Sequence, residues 1–195
     1  MSHYLQNDKS TCFLVSRIFI YILAFCNTMP EHIQDKLKRS IASSGGTYHK
    51  LILLVGESGS GKTKALNDLS IEIGVEIINL NLLLSKQLLE MTPKQRSLQL
   101  ANIIEDTIRE EGDIVILDNI ELIFDNSLKQ DPLRLLQMIS RNKTIISSWS
   151  GKQDRSKLLY AEAGHPEYRT YDVTDVLIIN MDSSSNLNLQ LNQER

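Results

Sequence analysis

KLILLVGESGSGKT, residues 50–63, is the stretch on which the fold turns. Its first six residues, Lys50 to Val55, form an apolar run without polar alternation, the pattern of a strand covered on both faces. The next eight, Gly56-Glu57-Ser58-Gly59-Ser60-Gly61-Lys62-Thr63, fit G-x-x-x-x-G-K-[ST] at every fixed position. Lys62 onward reads as a helix that Gly74 ends. Strand, glycine-rich turn and helix in that order form a cradle for phosphate. The glycines keep side chains out of the turn. The backbone N–H groups of Gly59 to Thr63 then face the phosphates at a helix N-terminus. In this pattern Lys62 neutralises β- and γ-phosphate oxygens and the Thr63 hydroxyl ligates Mg²⁺. The expected ligand is a nucleoside triphosphate with Mg²⁺, ATP foremost.

Strands and helices alternate on both sides of this stretch. Met29 to Ser44 is predicted helical, with Pro30 in the first turn and Ile33, Leu37 and Ile41 on one face. Val75 to Leu80 reads as a second strand, with Asn81 capping a helix that continues to Glu90. Thr92, Pro93 and Gln95 form a capping-box signature for a helix to about Glu111, with Leu100, Ile104 and Ile108 as its buried stripe. Ile114 to Asp118 is a third strand, Pro132 opens a helix to about Ser140, Thr144 to Trp149 is a fourth strand, and Val176 to Ile179 a fifth. The polar segment Gly151 to Thr174 is expected to hold a short helix around Arg155 to Tyr160, then a functional or interface loop. The predicted fold is α/β: a three-layer sandwich around a mostly parallel five-stranded sheet.

Composition allows one such domain. The chain has 195 residues, 42% of them apolar, and a formal net charge of -3. That is one full core and no broad basic surface. Two cysteines, Cys12 and Cys26, make no disulfide framework or zinc cluster, so a reducing compartment is expected. The domain is placed at residues 29–181, followed by a polar tail, 182–195, expected to be disordered. Residues 1–28 contain CFLVSRIFIYILAFC (12–26), which is short for a bilayer span and carries Arg17. Three readings stay open for it: a stretch ahead of a natural start at Met29, a peripheral anchor, or a helix packed on a partner. Membrane insertion of the domain is not expected, nor is a helical lid after the fifth strand.

The second chemical element is Ile114-Val115-Ile116-Leu117-Asp118, four apolar residues and an aspartate where a parallel sheet presents ligands. Asp118 is the candidate to hold Mg²⁺ with Thr63. The position after it, where a water-activating glutamate often stands, is Asn119, an amide that can orient water but not deprotonate it. Glu121 is the candidate base, with Asp125 a weaker one. Ser147 and Ser148, at the end of the fourth strand, are candidate γ-phosphate sensors. Arg141, Arg134 and Arg169 are candidate arginine fingers for a neighbouring subunit, Arg141 first.

Three longer stretches narrow the reading. Leu117 to Trp149, Leu158 to Ile179 and Asn79 to Leu100 closely resemble the small P-loop family of type 3 BREX bacteriophage-defence systems, BrxF. The elements that carry the resemblance are Asp118-Asn119-x-Glu121, Asp131-Pro132-Leu133-Arg134 and His165-Pro166-Glu167-Tyr168-Arg169. It implies a cytoplasmic bacterial protein working beside a DNA methyltransferase, a large AAA-type ATPase, a phosphatase-like protein and a helicase. It also implies a core similar to AAA+ or initiator-like ATPases. Two functions follow: an ATPase whose assembly into a homo-oligomer is gated by nucleotide, or a non-hydrolysing module that contacts protein or DNA. For DNA, the basic residues are Lys36, Lys38 and Arg39, with Lys50 and Lys64 beside the P-loop. A small-molecule kinase is a further alternative, with Arg155 and Arg169 in its lid.

Overall fold

The computed structural model describes residues 32–162 and 164–181. The expectations for residues 1–28 and 182–195, and for a helix start at Met29 and Pro30, lie outside these. In chain order the elements are α1 (Ile33–Ser44), β1 (Leu51–Gly56), α2 (Lys62–Ile73), β2 (Ile77–Asn79), α3 (Leu80–Leu88) and α4 (Pro93–Glu110). Then come β3 (Ile114–Asp118), 3₁₀ turns at Glu121–Phe124 and Asn126–Leu128, α5 (Pro132–Ile139), β4 (Thr144–Asp154), β5 (Lys157–Tyr160), β6 (Arg169–Asp172) and β7 (Leu177–Asn180).

Five strands pair in parallel in the order β2-β3-β4-β1-β7. All six residues of β1 are buried, which explains the missing polar alternation. Its side chains divide by parity between two cores. Leu51, Leu53 and Val55 meet Leu84 of α3, Leu100 and Ile104 of α4, and Leu136 of α5. Ile52 and Leu54 meet Leu37 of α1 and Ala65, Leu66 and Leu69 of α2. The result is a three-layer α/β sandwich. No helix among the described residues is long and apolar enough to cross a membrane.

Local chemistry sets most helix starts. At Thr92 both halves of the capping box form: the Gln95 N–H donates to Thr92 Oγ1 at 3.4 Å, and the Thr92 N–H donates to Gln95 Oε1 at 2.9 Å. Asp131 accepts from the Arg134 N–H at 3.1 Å ahead of Pro132 at the first helical position. One cap differs from expectation. Asn79, not Asn81, caps α3, its Oδ1 accepting from the Leu82 N–H at 3.0 Å. β2 ends at Asn79, one residue earlier than its apolar pattern suggests, so Asn81 falls inside the helix and its side chain is turned to another task.

The sheet is also larger than five strands. The helix expected at 155–160 is absent; β4 instead continues to Asp154 and turns back as β5, which pairs antiparallel with it, and β6 pairs antiparallel with β5. The turn at Arg155 takes φ +52°, the left-handed backbone that a two-residue hairpin needs. Tertiary contacts override the local pattern here. Leu158 and Tyr160 enter the core, where the Tyr160 ring stacks on Phe124 at 3.3 Å and meets Trp149 edge-on at 5.9 Å. Burial pushes the Tyr160 phenol well above its ordinary range. The Trp149 indole N–H donates to the Leu159 carbonyl at 2.9 Å.

Gly151 makes that hairpin possible. A Cβ there would lie 1.9 Å from the Leu159 carbonyl oxygen. Gly151→Ala therefore has to separate β4 from β5 and is expected to cost about 2 kcal/mol or more. Gly112→Ala, with nothing within 4 Å of its Cβ, serves as the control. Urea-unfolding midpoints of the two variants check this: the first should fall clearly, the second should stay within about 0.5 kcal/mol of wild type.

Candidate functional site

The end of β1 opens into a loop shaped by backbone rather than side chains. Gly59 and Gly61 take φ +79° and +91°, a region that side chains with a Cβ avoid. Gly61 is the N-cap of α2 and provides no side-chain cap, which leaves the first N–H groups of the helix turned toward the loop. Gly56 is tightly enclosed: a Cβ there would sit 2.5 Å from Ser60 Oγ and 3.0 Å from Met181 Cβ. Ser60 Oγ is itself buried without a hydrogen-bond partner. Lys62 is 8% exposed, and its ammonium donates to the carbonyls of Gly56 at 2.8 Å and Glu57 at 2.7 Å. The loop is thus held ready around its own lysine. Glu57, Ser58, Gly59, Gly61 and Thr63 remain exposed.

Parallel register brings the other candidates to this loop. Leu54 pairs with Ser148 and Gly56 with Ser150, while Leu117 pairs with Ser147, which sets Asp118 level with Ser148. Strand alternation then separates the two sensor candidates. Ser148 shares the face of Ile146, the face packed on α2; Ser147 shares the opposite face with Ile145 and Trp149. Both serines are buried, and Ser147 Oγ donates to the Ser148 carbonyl at 3.1 Å. Asp118 is 4% exposed on the α2 face, and its carboxylate has no hydrogen bond or ion pair with another described residue. A buried carboxylate without a partner beside a glycine cradle suits a divalent cation. Ser60 Oγ, Thr63 and Asp118 together fit Mg²⁺ and a polyphosphate.

Beyond Asp118 the chain turns sharply. Asn119 has φ +52°, a conformation that asparagine tolerates and glutamate does not favour. A 3₁₀ turn then begins at Glu121. Its carboxylate is held on both oxygens: Oε2 accepts from Asn81 Nδ2 at 2.9 Å and Oε1 from Ser150 Oγ at 3.2 Å. Asn81 Oδ1 also accepts from the Leu122 N–H at 2.8 Å, and the Asn81 N–H donates to the Asn119 carbonyl at 2.8 Å. Asn81 therefore fixes the turn and the carboxylate together. Asp125, the weaker base candidate, is occupied in capping Ser127 at 2.8 Å.

The arginines lie in three different settings. Arg169 is engaged with its own chain, donating to Gln130 O at 2.8 Å, Phe124 O at 3.1 Å and Asn126 Oδ1 at 3.1 Å. Arg141 precedes β4, at the sheet edge opposite the P-loop, with its guanidinium 5.8 Å from the Tyr48 ring centre. Arg134 is exposed in the first turn of α5, at the P-loop edge of the sheet. Of the basic residues singled out for DNA, Lys38 is paired with Glu72 at 2.6 Å.

Three residues at the site were not evident from the sequence. Asn81 resembled a helix cap. Met181, which packs on Gly56 and stands 3.8 Å from a Cβ on Gly61, gave no signal at all. Lys152 belonged to a segment expected to form a loop, yet its ammonium pairs with Glu57 inside the P-loop. That pairing holds the Glu57 carboxyl below the usual carboxylate range through the Lys152 hydrogen bond and charge.

A glycine cradle, a buried lysine and an aspartate at the carboxyl edge of a parallel sheet are the features of a P-loop NTPase fold. Residues 52–159 match the sequence profile of the ATPase family associated with various cellular activities (AAA), more than half of the chain, and the chain belongs to that family. No curated protein sequence matches it. Similar solved structures include C. elegans PCH-2, at 19% identity and a TM-score of 0.41, with 63% of this chain and 38% of that one covered. AMPPCP-bound DnaA from Aquifex aeolicus matches at 15% identity and a TM-score of 0.40, covering 82% of this chain and 48% of that one. Drosophila ORC bound to DNA matches at 17% identity and 0.41, again with 82% and 48% covered. The chain thus spans less than half the length of each of these three.

The turn after Asp118 provides a test independent of ligand. Asn119→Gly should leave stability unchanged or slightly raised, whereas Asn119→Val should lose about 1–2 kcal/mol, because a β-branched side chain strains the left-handed backbone. Thermal unfolding of the two variants measures the difference.

Proposed function

We propose that this AAA-family domain binds ATP with Mg²⁺ and hydrolyses it, and that nucleotide gates its assembly with further copies of itself. The observation that carries the reading is Glu121, a carboxylate oriented on both oxygens and tied to Ser150, the residue level with the first glycine of the P-loop. Two donors still leave lone pairs on each oxygen, enough to accept the proton of a water. Lys62, which donates to Gly56 O and Glu57 O, exchanges those carbonyls for phosphate oxygens. Thr63 Oγ1 and the Asp118 carboxylate would hold the metal. What Mg²⁺ supplies when bound is charge neutralisation across the β- and γ-phosphate oxygens. Ser148, on the α2 face level with Asp118, is the favoured γ-phosphate sensor.

Assembly is proposed because the P-loop's Glu57, Ser58, Gly59 and Thr63 are exposed in the single chain, so a neighbouring subunit can complete the site. Arg134 is the preferred finger in trans, since Arg169 is engaged internally and Arg141 lies at the far edge. The resemblance to the BrxF family supports placing this activity in bacteriophage defence. Partners there would include the large AAA-type ATPase, the methyltransferase and the phosphatase-like protein, and DNA is a further candidate. The non-hydrolysing alternative has one observation in its favour: Asn119 occupies the position where a base would directly follow Asp118.

Two measurements on one set of samples decide between the readings. With ATP and Mg²⁺ the particle mass should rise, and phosphate release per subunit should increase with protein concentration. Constant mass would exclude gated assembly. Glu121→Gln should retain nucleotide affinity and lower turnover at least a hundredfold, and Lys62→Ala should abolish binding. Tight binding without turnover by the unaltered chain would establish the binding module instead.

A further inference from the structure

The mechanism above leaves unused the part of β4 that runs past the parallel sheet. Residues two apart on a strand share a face. Ser148, Ser150 and Lys152 therefore form one row, continuing the face of Ile146 that packs on α2. Each has a place beside the P-loop apparatus. Ser148 is level with Asp118, Ser150 donates to Glu121, and the Lys152 ammonium pairs with Glu57, the second residue of the P-loop.

The row is held firmly. Gly151 and Lys152 pair with Tyr160 and Leu159 of β5, and the close approach at Gly151 permits no slack. One residue on, Gln153 Oε1 accepts from Asn180 Nδ2 at 2.8 Å, which ties the β4 extension to β7 beyond the end of β1. Between the extension, Ser58 and Tyr168 lies a hollow of about 580 Å³. The extension thus lines one side of a hollow that Glu57 and Ser58 of the loop line on the other, with the Lys152 ammonium paired to Glu57.

Thr63 and Asp118 would hold the metal, and with them the phosphate end of a bound nucleotide would face the carboxyl ends of β3 and β4. That is where this row emerges. We propose that Lys152 is a second phosphate-binding cation, carried in cis on the β4 extension, which leaves Glu57 for the terminal phosphate of a bound nucleoside triphosphate. This rests on the nucleotide reading of the site and deepens it: the ligand that completes the loop is the triphosphate rather than the diphosphate. The exchange is inexpensive. The Glu57 and Lys152 side chains are 52% and 59% exposed, and exposed ion pairs hold their partners weakly. A polyphosphate oxygen carries more charge than a carboxylate and draws the ammonium more strongly. Glu57 holds Lys152 beside the loop.

The test compares Mg²⁺-ADP with a non-hydrolysable Mg²⁺-ATP analogue by calorimetry on the full chain. Lys152→Gln should weaken the triphosphate about tenfold or more and leave ADP affinity within a factor of two. Lys152→Arg should restore most of the difference. Glu57→Gln, which removes the competing carboxylate, should raise the preference for triphosphate over diphosphate. If Lys152→Gln binds both nucleotides as the wild type does, or weakens both equally, the role of Lys152 is overturned while the nucleotide site stands. If the wild-type chain binds neither nucleotide, the reading beneath it falls as well.

Discussion

Residues 51–56 and 145–150 run side by side in parallel register, and that pairing sets the geometry of the whole site. It places the first glycine of the P-loop beside Ser150 and, through β3 on the other side of β4, puts Asp118 level with Ser148. Neither strand can slip by one residue. Slipping would turn Ile52 and Leu54 from the α1–α2 core into the α3–α5 core and send the β4 row to the wrong face. Two apolar cores, one on each side of the sheet, therefore hold a polar site at its edge in register.

The polar groups at that edge divide into those with partners and those without. Glu121, Asn81 and Ser150 satisfy one another, and Lys62 is satisfied by the carbonyls of its own loop. Ser60 Oγ is buried with no hydrogen-bond partner, and Asp118, 4% exposed, makes no side-chain hydrogen bond with another described residue. Burial without a partner is costly, and a protein retains it where a ligand completes the set. The contrast separates Glu121, held in place by donors, from Asp118, whose carboxylate makes no hydrogen bond with another described residue.

The β4–β6 hairpin adds a level of organisation that a parallel sheet lacks. A parallel strand usually ends at the site. Here β4 continues through it, pairs with β5, and carries its alternation four residues past Ser150. Trp149, Tyr160 and Phe124 anchor the return, and the Arg169 guanidinium ties the hairpin's third strand to the loop after β3. The stretch around His165 to Arg169 thus acts in part as scaffolding: Arg169 buttresses the turn that carries Glu121.

The sequence by itself determined the P-loop, the β1–α2 unit, Asp118, the capping box at Thr92 and the alternation of strands and helices. Each of these is encoded locally, in glycines at fixed spacing, in caps three residues from their targets, or in apolar runs of one period. Only tertiary structure decided the rest. Residues 157–160 have a pattern open to helix or strand, and pairing with β4 across the Gly151 contact chose strand. Asn81 could cap a helix, until the early end of β2 gave that role to Asn79 and freed Asn81 for a carboxylate 40 residues away. Ser147 and Ser148 differ only in parity, and parity has meaning only once both faces of the sheet are covered. The pairing of Lys152 with Glu57 depends on where β4 ends in space, which no local spacing records, because it is fixed by side chains from four separate strands packing together.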